Sequence, residues 1–224
     1  MADRFRYSGV ETILLLTAFA AGSVDVVSFA VLGGVFASAM TGNFALLAWY
    51  VARSDFQSAM GSVVALSGFV VGCAVGILQR RGRPAGNAVS LLLASECGLL
   101  LFFALYALWA PQTPSGPGGH LQIALLSVAM GLQAVLAQTL SVTSIVFTTT
   151  LTRLVASVAD SLSNAEPAAL RELKIQSSVV MAYLFGALLA GALAVRQVSL
   201  VMLLPFAGAA AALAVHRWTN PPPR

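Results

Sequence analysis

Apolar residues of this chain fall into long runs separated by short polar breaks. The full-length runs are residues 11–32, 57–79, 87–110, 120–141, 173–195 and 198–216. Each run has about 19 residues or more. Because a helix rises about 1.5 Å per residue, each run crosses most or all of a hydrocarbon layer of about 30 Å. The pattern predicts an all-α, polytopic helical membrane protein with about six transmembrane helices.

Two shorter apolar segments, residues 36–52 and 145–159, do not fit the full-length pattern. Both follow a long predicted helix after a break, which is Gly33-Gly34 in the first case and residues 141–144 in the second. We expect two short or re-entrant half-helices. Their sequences alone leave open whether they cross the membrane or return to the side from which they entered.

An internal repeat is suggested by the residues around these two segments. Gly22-Ser23-Val24-Asp25 followed by Met40-Thr41-Gly42-Asn43 aligns with Gly131-Leu132-Gln133-Ala134 followed by Phe147-Thr148-Thr149-Thr150. Each half then reads as a long helix, a break, a short helix and two further helices. We predict a first half at residues 1–110, an extracytoplasmic linker at 111–119 and a second half at 120–224.

The charges in the loops favour six crossings over eight. With six, the basic residues near the start of the chain, in the loop at 80–83, around Arg171 and Lys174 and at Arg217 all lie on one side. The positive-inside rule makes that side the cytoplasm, so both termini are predicted to be cytoplasmic. Three crossings per half give the halves opposite orientations, an inverted repeat common in secondary transporters.

Composition supports a membrane location and argues against nucleic acid as a partner. The chain is 58% hydrophobic and 9% charged, whereas an average soluble domain has about 25% charged residues. The net charge of +4 comes from basic residues that flank the apolar runs instead of forming a patch with aromatic residues. We therefore expect the lipid bilayer, and no nucleic acid, as a partner.

Asp25 is the most informative single residue. It lies in the interior third of the first predicted helix, where a carboxylate costs at least about 2.5 kcal/mol and persists mainly where it faces protein or water. Thr17, Ala21 and Ser28 share its helix face. It is therefore a candidate contact for a substrate, a proton or a cation. The alternative is a buried cap for the backbone freed at the break after the helix.

Threonine-rich motifs begin both short segments. Thr41-Gly42-Asn43 and Thr148-Thr149-Thr150 suit helix N-caps. If the segments are half-helices, their N–H groups and dipoles would bind an anionic or polar group at mid-membrane depth. These residues complete the predicted substrate-binding set with Asp25. The alternative is ordinary capping.

Glu96 and Arg153 form a second candidate constellation. Both lie inside apolar segments, and a carboxylate–guanidinium pair or relay would compensate the burial of each. Arg153 would alternatively extend to the cytoplasmic surface.

Small residues recur at four-residue spacing along two predicted helices. Gly68, Gly72 and Gly76 occupy the first, and Gly186 lies between Ala182 and Ala190 in the second. Such spacing forms a groove that admits another helix backbone. We expect packing within the chain, although the pattern leaves a homo-oligomer open.

Signatures of catalysis are missing from the sequence. His120 and His216 lie at segment ends without the spacing of metal ligands, and no G-x-S-x-G motif occurs. We expect no enzymatic activity, catalytic residue, metal site or cofactor.

The motifs Gly22-Ser23-Val24-Asp25, Gly33-Gly34-Val35-Phe36 and Met40-Thr41-Gly42-Asn43 resemble those of the YoaK family, small multi-spanning bacterial membrane proteins. The resemblance continues through Gly131-Leu132-Gln133. Where the family tends to have an Asn and a second Thr-Gly pair, this chain has Ala134 and Thr148-Thr149. The resemblance implies the inner membrane and about six helices, but no established substrate.

The sequence thus favours a small inner-membrane permease or transporter for a small polar or anionic solute. A proton is a candidate partner beside the solute. The alternative is a membrane scaffold, or a module that binds lipid or a partner protein. A water-accessible cavity at Asp25 would favour transport.

Overall fold

A computed structural model describes residues 2–109, 116–140, 155–156, 158, 167–197 and 199–220. These residues form helices and no strand. Six of the described helical stretches are long and apolar enough to cross a membrane, which confirms the predicted polytopic helical fold. The elements are α1 (Ala2–Val31), α2 (Met40–Ala52), α3 (Phe56–Arg80), α4 (Ala85–Trp109), α5 (Pro117–Thr139), α6 (Pro167–Val195), a 3₁₀ turn (Ser199–Leu203) and α7 (Leu204–Thr219).

Glycines end the first helix and turn the chain back. Gly33 and Gly34 have φ angles of 100° and 79°, which L side chains rarely adopt, so α1 cannot continue through them. The next helix, α2, has 13 residues. At about 1.5 Å per residue it is too short to cross a bilayer. The following helix, α3, begins where the Asp55 carboxylate accepts a hydrogen bond from the backbone N–H of Ser58.

Contacts along α1 give the directions of α6 and α7. Gly9, near the start of α1, packs against Thr219 at the end of α7, and Ala20 packs against Gly208. These two helices are therefore antiparallel. The Glu11–Arg171 ion pair joins the early turns of α1 and α6. These two helices are parallel, because Val26 of α1 lies beside Gly191 later in α6.

The directions of α3 and α5 show where α2 begins and ends. Gly68 and Gly76 of α3 pack against Ala124 and Val135 of α5 in the same order, so α3 and α5 are parallel. The α5 helix is antiparallel to α1, because the early residue Ile13 shares an apolar cluster with the late residue Leu136. The α1 and α3 helices therefore run in opposite directions. The chain between them leaves and re-enters at the same end of the bundle, so the first short segment is re-entrant.

The second predicted short segment, residues 145–159, lies almost wholly outside the described residues. The helices that flank it, α5 and α6, are antiparallel to each other because α6 is parallel to α1 and α5 is antiparallel to it. The end of α5 and the start of α6 therefore lie at one end of the bundle.

The two ends of the bundle differ in charge. At one end of the bundle, which we call the basic end, α1, α4 and α6 begin and α3, α5 and α7 end. This end carries Arg80, Arg81, Arg83, Arg171, Lys174 and Arg217. At the opposite, distal end, the basic residues among the described positions are Arg53 and Arg196.

Two close helix crossings hold the bundle together. In one, Gly72 of α3 meets Gly131 of α5, and in the other Gly22 of α1 meets Gly186 of α6. A β-carbon on any of these glycines would overlap a backbone carbonyl of the partner helix. Glycine is therefore required for this approach, which brings backbones into van der Waals contact as in other membrane bundles. Each crossing joins a helix of the predicted first half to one of the second.

Two apolar clusters fill the interior between the crossings. The distal cluster contains Val24, Val27, Leu100, Phe103, Leu126 and Ala209. The basal cluster contains Ile13, Leu92, Leu93, Leu132, Leu136 and Ala212. Residues of α1, α4, α5 and α7 contribute to both, so these helices form the centre of the bundle.

Candidate functional site

Asp25 of α1 is buried in the bundle, with 3% of the residue exposed. Its Oδ1 accepts a hydrogen bond from the backbone N–H of Ser38 at 2.9 Å. Its Oδ2 accepts two more, from the Ser38 hydroxyl at 2.5 Å and from the Tyr183 hydroxyl at 2.8 Å. Asp25 therefore links α1, the re-entrant loop and α6.

The re-entrant loop reaches Asp25 because it folds back along α1. The backbone N–H of Ala37 donates to Ser28 Oγ at 3.2 Å, and the next N–H, that of Ser38, donates to Asp25. Asp25 and Ser28 are three residues apart on one helix face, so the face predicted to be polar pairs with the loop. Backbone groups inside a membrane need such partners, since lipid offers none.

Asn43, in the first turn of α2, holds the same loop from its other side. It is fully buried, at 0% exposure. Its Oδ1 accepts from the backbone N–H of Phe36 at 2.9 Å, and its Nδ2 donates to the Phe36 carbonyl at 2.5 Å. These two bonds fix the N-terminus of α2 against the loop. Ala39, the residue that precedes α2, provides no side-chain cap there.

The groups that donate hydrogen bonds to the Asp25 carboxylate, from Ser38 and Tyr183, are all uncharged. Among the described residues, the ion pair within 4.0 Å is the one between Glu11 and Arg171 near the basic end. Hydrogen bonds to a charged group each contribute about 1.5–3 kcal/mol. They stabilise the carboxylate without cancelling its charge. A proton or a cation would cancel it, although the described part of the chain has no group of three residues suited to hold a metal ion.

Glu96 of α4 has the opposite environment. It is also fully buried, at 0% exposure, but neither carboxyl oxygen has a hydrogen-bond partner. Arg153, its predicted partner, lies outside the described residues. Elsewhere in the bundle, Gln133 Nε2 of α5 donates a hydrogen bond to the Thr17 carbonyl of α1 at 3.0 Å.

An apolar groove runs along the outer surface between α1 and α6. It has a volume of about 470 Å³. Arg196 lies at its distal end, and the groove does not include Asp25. Its lining residues are Val26, Ala187, Leu188, Gly191, Ala192, Val195 and Arg196.

Comparison with known proteins places this chain in a family. The family described as "Protein of unknown function (DUF1275)" matches residues 13–216. The chain belongs to the DUF1275 family. It is 30% identical over 188 residues to the UPF0700 transmembrane protein YoaK of Bacillus subtilis (strain 168), which covers 80% of this chain and 81% of that protein. No solved structure matches the chain.

The predicted site of this DUF1275 protein is partly assembled in the structure. Asp25 and Asn43 both hold the stretch Phe36–Ser38, one through Ser38 and the other through Phe36. Gly42 packs against the Phe36 ring, while the Thr41 side chain is exposed. Thr148, Thr149 and Thr150 lie outside the described residues.

Two residues at this DUF1275 site were not among the predictions. Ser38 and Tyr183 supply all the hydrogen bonds that the Asp25 carboxylate accepts from side chains. Tyr183 has a recognisable signal, because a tyrosine hydroxyl in the middle of an apolar helix needs a partner. Ser38 lies only 13 residues from Asp25, but nothing in the sequence indicates that the loop folds back.

Proposed function

We propose that this DUF1275 protein is a permease of the bacterial inner membrane that moves a small polar or anionic solute together with a proton. The observation that carries the proposal is the buried Asp25 carboxylate, which is bonded to the re-entrant loop and to α6 by neutral donors. Ionisable groups inside membrane spans commonly belong to substrate paths or proton relays.

Protonation of Asp25 would change its bonds as well as its charge. As a carboxylate it only accepts, whereas a carboxylic acid donates one hydrogen bond. A proton on Oδ2 would require the hydroxyl of Ser38 or Tyr183 to turn, because both now donate to that oxygen. The contact between the loop and α6 is thus coupled to the charge of Asp25.

The position of α2 supports an anionic or strongly polar solute. The N-terminus of α2 lies beside the loop, and Ala39 provides no side-chain cap. The helix dipole favours negative charge at such an end. An ionised Asp25 would repel an anion there, and a protonated Asp25 would not. Binding of the solute would therefore favour binding of the proton.

The arrangement of the helices also supports transport. Inverted repeats and interrupted helices are recurring features of secondary transporters. The two glycine crossings relate helices of the two predicted halves in the same way, as an inverted repeat would require. In the proposed orientation the basic end faces the cytoplasm, in accord with the positive-inside rule.

The test uses full-length protein in liposomes that contain a trapped pH indicator. A panel of mono- and dicarboxylates, amino acids, sugars and nucleosides is added outside, one compound at a time. We expect at least one compound to drive a pH change inside, and Asp25→Asn to abolish it. Glu11→Gln is the matched control, because Glu11 lies in α1 but is exposed at the basic end. The proposal fails if a well-folded Asp25→Asn protein retains full solute-driven proton movement.

A second candidate function is a lipid-binding membrane module. The groove between α1 and α6 favours it, because the groove is lined by apolar residues and ends at Arg196. A phospholipid has acyl chains for the groove and a phosphate for the guanidinium. Native mass spectrometry with phosphatidylglycerol would then show retained lipid that Arg196→Gln loses and Asp25→Asn keeps. Unchanged lipid retention in Arg196→Gln would exclude this site.

A further inference from the structure

Glu96 is a buried acid whose carboxyl group has no hydrogen-bond partner, in contrast to Asp25. It lies near the middle of α4, which spans Ala85–Trp109. Its side chain has 0% exposure, and both of its oxygens lack hydrogen-bond partners. Asp25, in contrast, accepts three hydrogen bonds, so the two acids require different explanations.

Apolar residues precede and follow Glu96 on its helix. Leu92 and Leu93, about one turn before it, belong to the basal cluster. Leu100 and Phe103, one and two turns after it, belong to the distal cluster. Glu96 therefore lies where the two apolar clusters meet.

The elements packed against α4 are α3, α5, α7 and the 3₁₀ turn. Their charged or titratable side chains, among the described residues, are mostly at helix ends. Cys73 is the exception, and its thiol faces the Gly131 carbonyl of α5 at 3.6 Å. The His216 ring contacts the Gly86 carbonyl, close to the basic end. The others are Arg80 at the end of α3, His120 at the start of α5 and Arg217 at the end of α7.

The absence of donors decides which form of the acid this site tolerates. Moving an isolated carboxylate into a medium of low dielectric constant costs tens of kcal/mol in the idealised limit, and such groups bind a proton instead. A neutral hydroxyl group in the same place costs only about 2–7 kcal/mol. In this arrangement of the helices, the pocket around Glu96 therefore accommodates –COOH and not –COO⁻.

We propose that Glu96 is a second proton-binding site, which holds its proton as a carboxylic acid at the centre of the bundle and exchanges it during transport. The exchange rests on the proposed function, whereas the binding of the proton does not. Asp25, with donors from the loop and α6, would then bind a proton next to the solute. Glu96 would bind a proton in the interior of the bundle.

The first experiment detects the bound proton in the unmodified full-length protein. Dicyclohexylcarbodiimide enters the bilayer and adds to a protonated carboxyl: the acid O–H adds across one C=N bond, and the acyl group then moves to nitrogen, so the whole reagent is retained. Peptide mass spectrometry is expected to find this N-acylurea at Glu96 and not at the exposed Glu11. Infrared spectra are expected to show a free carboxylic-acid C=O band that Glu96→Gln removes and Glu11→Gln keeps.

The outcomes separate this proposal from the permease function. An unlabelled Glu96 together with no free-acid C=O band, or a label confined to Asp25, overturns the proton site. Proton movement in the liposome assay is expected to fall at least tenfold in Glu96→Gln, and unchanged movement overturns the exchange. If no compound drives proton movement in the parent but Glu96 is labelled, the permease proposal fails and the proton site stands. Because labelling is measured on the parent, a poorly folded variant does not affect it.

Discussion

Gly72 of α3 and Gly131 of α5 face each other across a parallel crossing, where a β-carbon on either residue would overlap a carbonyl of the other helix. The carbonyl that faces Gly131 belongs to Phe69, three residues before Gly72, and the one that faces Gly72 belongs to Val128, three residues before Gly131. The crossing is therefore reciprocal.

The same relationship recurs between α1 and α6. Gly22 faces the carbonyl of Tyr183, three residues before Gly186, and Gly186 faces that of Phe19, three residues before Gly22. In the predicted alignment of the two halves, Gly22 corresponds to Gly131. In each predicted half, the first helix thus packs against a glycine on the second long helix of the other predicted half. Such an exchange makes the two halves interdependent in folding.

The crossing at Gly72 predicts that even the smallest side chain is harmful there. In Gly72→Ala the new methyl group meets the Val128 backbone, and overpacking of this kind costs about 1–3 kcal/mol. Gly98→Ala is the matched control in α4, because a β-carbon there meets nothing within 4 Å and alanine is the better helix former. Thermal unfolding in detergent should show a lower midpoint for Gly72→Ala only. Equal midpoints would remove the role assigned to the crossing.

The predictable part of the fold followed from local properties of the sequence. Length and hydropathy of each run determine whether a helix can span, and both can be read residue by residue. The glycine spacing likewise indicated a small face on α3. It did not indicate which helix packs there, because any small face accepts any backbone.

The candidate site was predictable only in part for a similar reason. Asp25 and Asn43 are conspicuous as polar residues next to a glycine break. Their partners depend on how the chain folds: Ser38 is reached through the reversal at Gly33 and Gly34, and Tyr183 is 158 residues away from Asp25. The N-cap position expected for Thr41 is occupied by Ala39, and Thr41 lies exposed in the first turn of α2.

Asn43 is predicted to be essential for the re-entrant loop. Asn43→Asp keeps the acceptor for the Phe36 N–H but replaces the donor that now bonds the Phe36 carbonyl. Two oxygens would then face each other in a buried site, at a cost of about 1–3 kcal/mol or more. Thr41→Val, two residues earlier and exposed, should unfold at the parental temperature. A parental midpoint for Asn43→Asp would mean that the loop does not depend on this pair.

The proposed membrane orientation predicts which residues react from outside the cell. In a background with Cys73→Ala and Cys97→Ala, Gln57→Cys lies at the distal end, while Ala85→Cys and Asn220→Cys lie at the basic end. A membrane-impermeant maleimide should label Gln57→Cys in cells with a permeabilised outer boundary and an intact inner membrane. The other two should react only after lysis. Labelling of all three from one side would contradict six crossings.

Asp55, at the start of α3, predicts a pH effect outside the membrane. Hydrogen bonds from the Ser58 hydroxyl and backbone N–H hold the pKa of Asp55 below its ordinary value of 3.8. Because the pKa is lowered on folding, this carboxylate stabilises the fold above its ordinary pKa and ceases to do so as the pH falls through the lowered value. Asp55→Asn caps the helix without titrating. The difference in thermal unfolding midpoint between parent and variant should be constant from about pH 7 to 5 and should decline only below about pH 4. A decline already near pH 6 would point to another group.

The hydrogen bonds around Asp25 predict that the contributions of its shape and of its charge to stability can be measured separately. In Asp25→Asn, Oδ1 still accepts from the Ser38 N–H, and the two amide hydrogens can be donated to the hydroxyl oxygens of Ser38 and Tyr183, since hydroxyls accept as well as donate. The variant should therefore unfold close to the parental temperature. Asp25→Ala instead removes the acceptor of the Ser38 N–H and of two hydroxyls, at about 1–3 kcal/mol for each group left unsatisfied.

Tyr183→Phe then reports on the charge itself. A hydrogen bond to a carboxylate contributes about 1.5–3 kcal/mol and one between neutral groups about 0.5–1.5 kcal/mol, so Tyr183→Phe should cost more in the parent than in Asp25→Asn. Thermal unfolding of the four proteins gives this coupling as a double-mutant cycle. If Asp25→Asn is instead as unstable as Asp25→Ala, the charge is required for folding, and Asp25 is a structural anchor of the loop instead of a site for the proton. If Asp25→Asn is stable and Tyr183→Phe costs the same in both backgrounds, Asp25 is already neutral in the resting protein, and the proton occupies the site before the solute arrives.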